Sequence, residues 1–168
     1  HKLDCRPTVH EVAAGIAAEY FNETSENGKA FALVTAGPGI TNILTAIAGS
    51  YLESRELLVI GGQVKTSDIS SKQLRQNGIQ EISGFDIAKP ICKRSLRLLK
   101  PWSKEKLFSE INCSSTGRKG PVFLEIPIDV QGQNVNFNKE ELITEEFLPV
   151  VDDLIISQIV EDLKVSSS

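Results

Sequence analysis

Methionine is absent from this 168-residue sequence, tryptophan occurs once, histidine and tyrosine twice each, and cysteine three times. Cys5, Cys92 and Cys113 are far apart and form no Cys-x-x-Cys pair, and only Cys5 has histidines, His1 and His10, near it in sequence. That excludes the usual zinc frameworks and reads as free thiols in a reducing cytoplasm. Basic charge is also in short supply. Against 22 Asp and Glu there are 18 Lys and Arg, giving a net charge of −4, and the pI is near 5.3. With the basic residues scattered and no basic stripe, a nucleic-acid partner is not expected. No apolar run approaches the roughly 18 residues of a membrane span, so no membrane partner is expected either. The sequence opens on His1 with no signal-peptide pattern, and is read as a piece of a longer chain or a processed product. Forty per cent apolar and 24 per cent charged residues suit a globular domain.

What is present centres on the stretch Phe31 to Asn42. Phe31–Thr35 is a short apolar run, the length of a buried strand. Gly37-Pro38-Gly39 ends it, since proline gives no N–H to a ladder. From Ile40 a helical stripe begins, with Ile40, Ile43, Leu44, Ile47 and Tyr51 on one face. Pro38 falls at the first helical position, where a missing N–H costs nothing. Strand, tight turn and helix form a unit whose turn lies at the carboxyl edge of a sheet, where α/β proteins bind ligands.

Around this unit, Thr8 to Glu11 fits a capping box. It precedes a helix over 10–22 with a close-packing face of Ala13, Ala14, Ala17 and Ala18, anchored by Tyr20 and Phe21. Leu57–Ile60 reads as a second buried strand ending at Gly61-Gly62, parallel to the first because a helix intervenes. Gln63 to Phe85 is a long polar segment, and a loop of this length after a strand's carboxyl end favours function. A weak strand over 92–98 follows. An amphipathic helix over 103–114 has Leu107, Phe108 and Ile111 inward, and a buried strand spans Pro121 to Pro127. The fold class is therefore α/β, a three-layer αβα sandwich around a central parallel sheet. Residues 1–130 form the domain, 131–150 a linker, and 151–168 open the next domain with a helix.

Several residues are candidates for chemistry, each with a plainer alternative. Glu11 is either a solvated cap bonding back to Thr8, or a buried carboxylate with a raised pKa that meets a protonated ring nitrogen. His10 reads as a flanking residue, since no Gly-x-Ser-x-Gly elbow is present to complete a triad. Gly37-Pro38-Gly39 is either a tight turn or an anion site at a helix N-terminus. No Gly-Lys-Ser/Thr follows it, and the third glycine of the dinucleotide fingerprint is missing, so it is neither nucleotide motif. Arg75, Gln76, Gln80 and Glu81 form either a loop cluster or ordinary surface. Asp86, Asp129 and the acids at 139–146 have no metal-ligand spacing.

As a set, these motifs resemble the thiamine-diphosphate enzymes of the acetolactate synthase group, specifically their N-terminal pyrimidine-binding domain. His10-Glu11 matches the group's His-Glu pair, Gly37 to Asn42 its Gly-Pro-Gly-x-Thr-Asn, and Gly62-Gln63-Val64 the segment after the second strand. Ile79-Gln80-Glu81 matches Phe-Gln-Glu. Lys89-Pro90 with Lys93, and Gly120-Pro121 to Val130, match later segments. The resemblance implies that Glu11 bonds the aminopyrimidine ring and activates the cofactor, that Pro38 packs on the ring beside Gly37, and that Asn42 lies close by. It implies that Gln80 approaches the reacting end, making Glu11 and Gln80 the catalytic candidates. It further implies decarboxylation of a 2-oxo acid with transfer of the product carbanion. The implied cofactors are thiamine diphosphate, Mg²⁺ held by residues outside this chain, and, in some members, FAD. Each active site would form between subunits of a homo-oligomer, a dimer or tetramer, and this chain alone would be inactive. The unpaired dimer surface, around helices 10–22 and 39–53, would drive self-association. Two departures, Lys65 where the group usually has proline and Ile79 where it has phenylalanine, fall where substrate and acceptor would sit. The alternatives are therefore another thiamine-diphosphate lyase or decarboxylase branch, of sulfoacetaldehyde or oxalyl type, or a non-catalytic domain kept for subunit pairing.

Overall fold

Two strands joined by a fifteen-residue helix pair in parallel, and the rest of the sheet extends that unit. The computed structural model describes residues 3–70 and 75–134, together with Ser157, Gln158, Glu161 and Lys164. Among the described residues up to 134, nine elements of strand and α-helix follow in the order α1 (Glu11–Thr24), β1 (Ala32–Val34), α2 (Pro38–Leu52), β2 (Leu57–Gln63), α3 (Gly84–Ala88), β3 (Arg94–Arg97), α4 (Lys104–Asn112), β4 (Pro121–Pro127) and α5 (Ile128–Gln131). The sheet order is β1-β2-β4-β3, and every pairing is parallel. All four carboxyl ends therefore share one edge.

The strands alternate between two cores. Ala32, Val34, Leu57, Val59 and Phe123 face Ala18 of α1 and Ile40, Ile43 and Ile47 of α2. Val122 and Leu124 face the other way, toward Leu107 and Ile111 of α4. This is the expected αβα sandwich. The expected linker at 131–150 lies mostly, and the helix over 152–164 largely, outside the described residues.

Several local expectations are corrected. His10, not Thr8, caps α1: its Nδ1 accepts the Val12 N–H at 3.2 Å, while the Thr8 hydroxyl donates to the His10 carbonyl. The packing face of α1 is Gly15, Ala18, Glu19 and Asn22, whereas Ala13 and Ala17 are exposed. The reason lies at Gly15, where a Cβ would come 2.5 Å from Ala46 Cβ, so α1 and α2 meet closest there. Tyr20 and Phe21 are about half exposed and anchor nothing in the core. Asn22 does the anchoring, accepting the Ala30 N–H at 2.7 Å and donating to its carbonyl at 3.1 Å.

The run Phe31–Thr35 yields only a three-residue strand, with Leu33 70 % exposed. β1 is an edge strand, and the core on the α4 face gathers around β2, β4 and β3 without it. The Gly61-Gly62 pair lies inside β2 rather than ending it, because the Phe123 ring and Ile40 fill the space a Gly61 Cβ would take. Gln63 is the buried last residue of that strand, not the first of a polar loop. Phe108 is exposed, with the Lys104 ammonium 5.7 Å from its ring. The α3 turn was not apparent in the sequence pattern. No helix among the described residues is long and apolar enough to cross a membrane.

Candidate functional site

The Gly-Pro-Gly turn sits where the sheet's carboxyl edge meets α2. Gly37 caps α2 with φ 62° and ψ −116°, a conformation that side chains beyond glycine rarely adopt. Pro38 opens the helix and is exposed. Asn42 lies one turn further, on the same helix face as Pro38. Its Nδ2 donates to Glu11 Oε2 at 3.0 Å, joining the starts of α1 and α2 across 31 residues of sequence.

Glu11 thus does not bond back to Thr8 as a capping box requires. It is half-buried, the first residue of α1, with its carboxylate turned to the neighbouring helix. The expected raised pKa is not found. The Asn42 amide, then the Glu11 N–H and the nearby His10, hold the carboxyl below its ordinary value, against a smaller opposing effect of burial. With Glu11 only half-buried, desolvation has little to act on.

Gln80 reaches the same turn from the long loop. It is exposed and has φ 60°. Its carbonyl oxygen and Cβ lie 2.7 and 2.8 Å from where a Cβ on Gly37 would be. Glu81 shapes the loop behind it, accepting N–H groups from Ser70 at 2.6 Å, Asn77 at 2.7 Å and Gly78 at 3.1 Å. Burial works to raise the Glu81 pKa, but these donors and Arg97 hold it below normal. Gln80, Gly37, Pro38, Asn42 and Glu11 therefore form one continuous arc. Arg75 and Gln76 are exposed, Gln76 donating to the Gly78 carbonyl at 3.4 Å, and His10 is spent on its cap.

Beneath the arc lies a buried group that the sequence reading did not single out. Glu125, in the middle of the sheet on β4, is fully buried. Its Oε1 accepts from Gln63 Nε2 at 3.1 Å and from the Gly84 N–H at 2.9 Å, and its Oε2 pairs with Arg97 Nε. Burial pushes its pKa up, against the opposing pull of Arg97, the Gly84 N–H and Gln63. A signal was available: one acid inside the otherwise apolar run Pro121 to Pro127 must find partners or unfold the strand.

Among the described residues no group of three or more His, Cys, Asp or Glu could hold a metal ion. Burial pushes the Cys92 thiol up to about 12, which leaves it a poor nucleophile.

Residues 1–87 match the family model described as thiamine pyrophosphate enzyme, N-terminal TPP binding domain. The chain belongs to this family. It is also similar to a probable acetolactate synthase large subunit of Methanocaldococcus jannaschii, with 35 % identity over 144 residues, covering 84 % of this chain and 23 % of that protein. The acetolactate synthase of Arthrospira platensis is 35 % identical over 130 residues, 76 % of this chain and 21 % of that protein. The acetolactate synthase isozyme 1 large subunit of Escherichia coli (strain K12) is 36 % identical over 124 residues, 73 % and 21 % of the two chains. The chain thus spans less than a quarter of the curated relatives it matches. In this thiamine pyrophosphate enzyme domain the arc from Glu11 to Gln80 falls wholly inside the matched residues, whereas Arg97 and Glu125 lie beyond them.

The arc's chemistry fits an aminopyrimidine. A carboxylate offers about four acceptor sites, and those Asn42 and the Glu11 N–H occupy leave room for a protonated ring nitrogen. The exposed pyrrolidine of Pro38 offers an apolar face beside it.

Proposed function

We propose that this chain is the pyrimidine-binding part of a thiamine-diphosphate enzyme that decarboxylates a 2-oxo acid and transfers the resulting carbanion, an acetolactate synthase-like carboligase. The observation that carries the reading is the bond from Asn42 of α2 to the Glu11 carboxylate, beside Pro38. A glutamate kept only to cap its own helix would have no need of that second partner from a neighbouring helix, which comes in addition to its own N–H.

The bound cofactor supplies the electron sink for the carbon that loses CO₂. This chain's residues do the rest of what the arc allows. Glu11 accepts the ring N–H and shares its proton. Glu11, if covered on this face by a bound ring, would lose water, and its carboxyl would rise from its depressed value toward the range useful for proton sharing. Asn42 keeps the carboxylate oriented while this happens, as its 3.0 Å hydrogen bond already does. Pro38 supplies a rigid apolar surface for the ring. Gln80 presents a neutral amide that both donates and accepts, suited to orienting a polar group without competing for the Glu11 proton.

In this reading residues 1–130 are the pyrimidine-binding domain, 131–150 a linker and 151–168 the start of the next domain. The diphosphate and Mg²⁺ ligands belong to other parts of a longer protein, in a homo-oligomer whose second subunit completes the site. The test uses that full-length protein. Pyruvate consumption and CO₂ release are measured with thiamine diphosphate and Mg²⁺ for wild type and Glu11→Gln. The substitution keeps the shape and removes the shared proton, and a loss of about a hundredfold is expected. Equal activity in both returns Glu11 to a structural role.

A further inference from the structure

Glu125 is a buried carboxylate that the arc does not use directly, yet its partners bracket the arc's loop. Gln63 is the last residue of β2 and begins the segment that carries Gln80, and Gly84 ends it. Both bond the same carboxylate oxygen, Oε1 of Glu125. The other oxygen holds Arg97 at the end of β3, whose guanidinium also donates to Ser83 Oγ at 3.3 Å and lies 4.5 Å from the Phe85 ring centroid. Gln63 Nε2 adds a 2.6 Å bond to the Ile82 carbonyl, so the two ends of the segment are also tied to each other.

We propose that Glu125 is a positioning residue: it closes the neck of the segment between Gln63 and Gly84, and so holds Gln80 against the Gly37 turn. That Gln80 then serves a cofactor rests on the function proposed above. The clamp itself rests on geometry. Among its described residues the segment has no strand or α-helix of its own between its ends, and a segment of this length would otherwise sample many conformations. One buried acid gathers its first residue, its last residue and a cation from a third element. Asp129 adds a lesser tie near the start, accepting from the Thr66 N–H at 3.0 Å and its hydroxyl at 2.6 Å. Among the described residues no side-chain hydrogen bond reaches Gln80 itself, and its backbone lies against Gly37. Its placement therefore follows from the neck and from Glu81.

The proposal is tested by hydrogen exchange on the full-length protein, with Glu125→Gln and, because a buried acid can be needed for folding, also Gln63→Met, which leaves the Glu125–Arg97 pair whole. Amides of 76–84 are expected to exchange at least about tenfold faster in both variants, while those of β2 and β4 keep their protection. Unchanged exchange at 76–84 in either folded variant overturns the clamp. Faster exchange of the sheet and the loop together overturns it as well, because Glu125 would then serve global stability alone. A parallel titration of thiamine diphosphate into Gln80→Ala separates the two readings. Loosened loops with unaltered cofactor affinity in Gln80→Ala leave the clamp standing and remove Gln80 from the cofactor site.

Discussion

Gly37 and Gln80, 43 positions apart, touch so closely that a Cβ on Gly37 would lie 2.7 Å from the Gln80 carbonyl oxygen. The contact joins two residues with positive φ, 62° and 60°, so each is held where an ordinary side chain is strained. Gly37→Ala adds both a left-handed alanine and a collision with backbone that has no flexible end to yield. We expect a stability loss of about 1–3 kcal/mol, read from the urea midpoint of the full-length protein. Weaker thiamine-diphosphate binding should accompany it, because Gln80 must move. Unaltered stability would mean that the turn can rearrange freely.

The Glu11–Asn42 bond makes a prediction with a definite sign. Asn42 is the largest cause of the depressed Glu11 pKa. A depressed carboxyl contributes stability that is fully present above its unfolded-state pKa and is lost as pH falls through its folded-state pKa. Asn42→Ala should therefore lower the unfolding midpoint relative to wild type at pH 7, and the gap should close below the ordinary carboxylate range. In a carbon-detected titration the Glu11 carboxyl of the variant should move up toward its usual value. A gap that persists unchanged into acid would assign the effect to helix packing instead.

Gly15 is a third point of leverage. Alanine there would gain up to about 1 kcal/mol from helix propensity alone. The Ala46 Cβ stands 2.5 Å from the new methyl, however, and belongs to backbone-fixed structure that cannot swing away. Overpacking of this kind costs about 1–3 kcal/mol, so Gly15→Ala should be net destabilising in a denaturant titration. Adding Ala46→Gly should restore part of the loss, whereas independent effects would only add.

How much of this was legible beforehand depended on whether a signal was local. The Gly-Pro-Gly turn announced itself, since proline at the first helical position and a glycine cap are decided by nearest neighbours. The apolar runs of β2 and β4 were equally plain. The cap of α1 was misread because Thr8 and His10 both offer an acceptor, and only the path of the incoming chain selects His10. The face of α1 was misread for a related reason: four alanines look like a packing surface until Gly15 is seen to meet Ala46 from α2. The Glu125 cluster joins residues 63, 84, 97 and 125, which no periodicity relates. Only the anomaly of an acid in a buried strand hinted at it.

The outer side of α1 carries the last prediction. Ile16 and Tyr20 are exposed, and so are Ala13 and Ala17, at spacings of three and four residues. Such spacing sets these four on one stripe, opposite the Gly15 and Ala18 face that packs on α2. An apolar stripe left in water is unfavourable by about 25 cal/mol for each Å² that a partner could cover. The homo-oligomer proposed above would cover it with a second copy. In sedimentation velocity at tens of micromolar, the full-length protein should then run heavier than a monomer. Ile16→Lys combined with Tyr20→Lys should shift it toward the monomer, because two ammonium groups facing a copy of themselves must be desolvated without partners. Both side chains are about half exposed, so the helical circular dichroism should be unchanged. A wild type that sediments only as monomer would remove the subunit-completed site from the proposal, and an undiminished oligomer in the double variant would move the interface to another face.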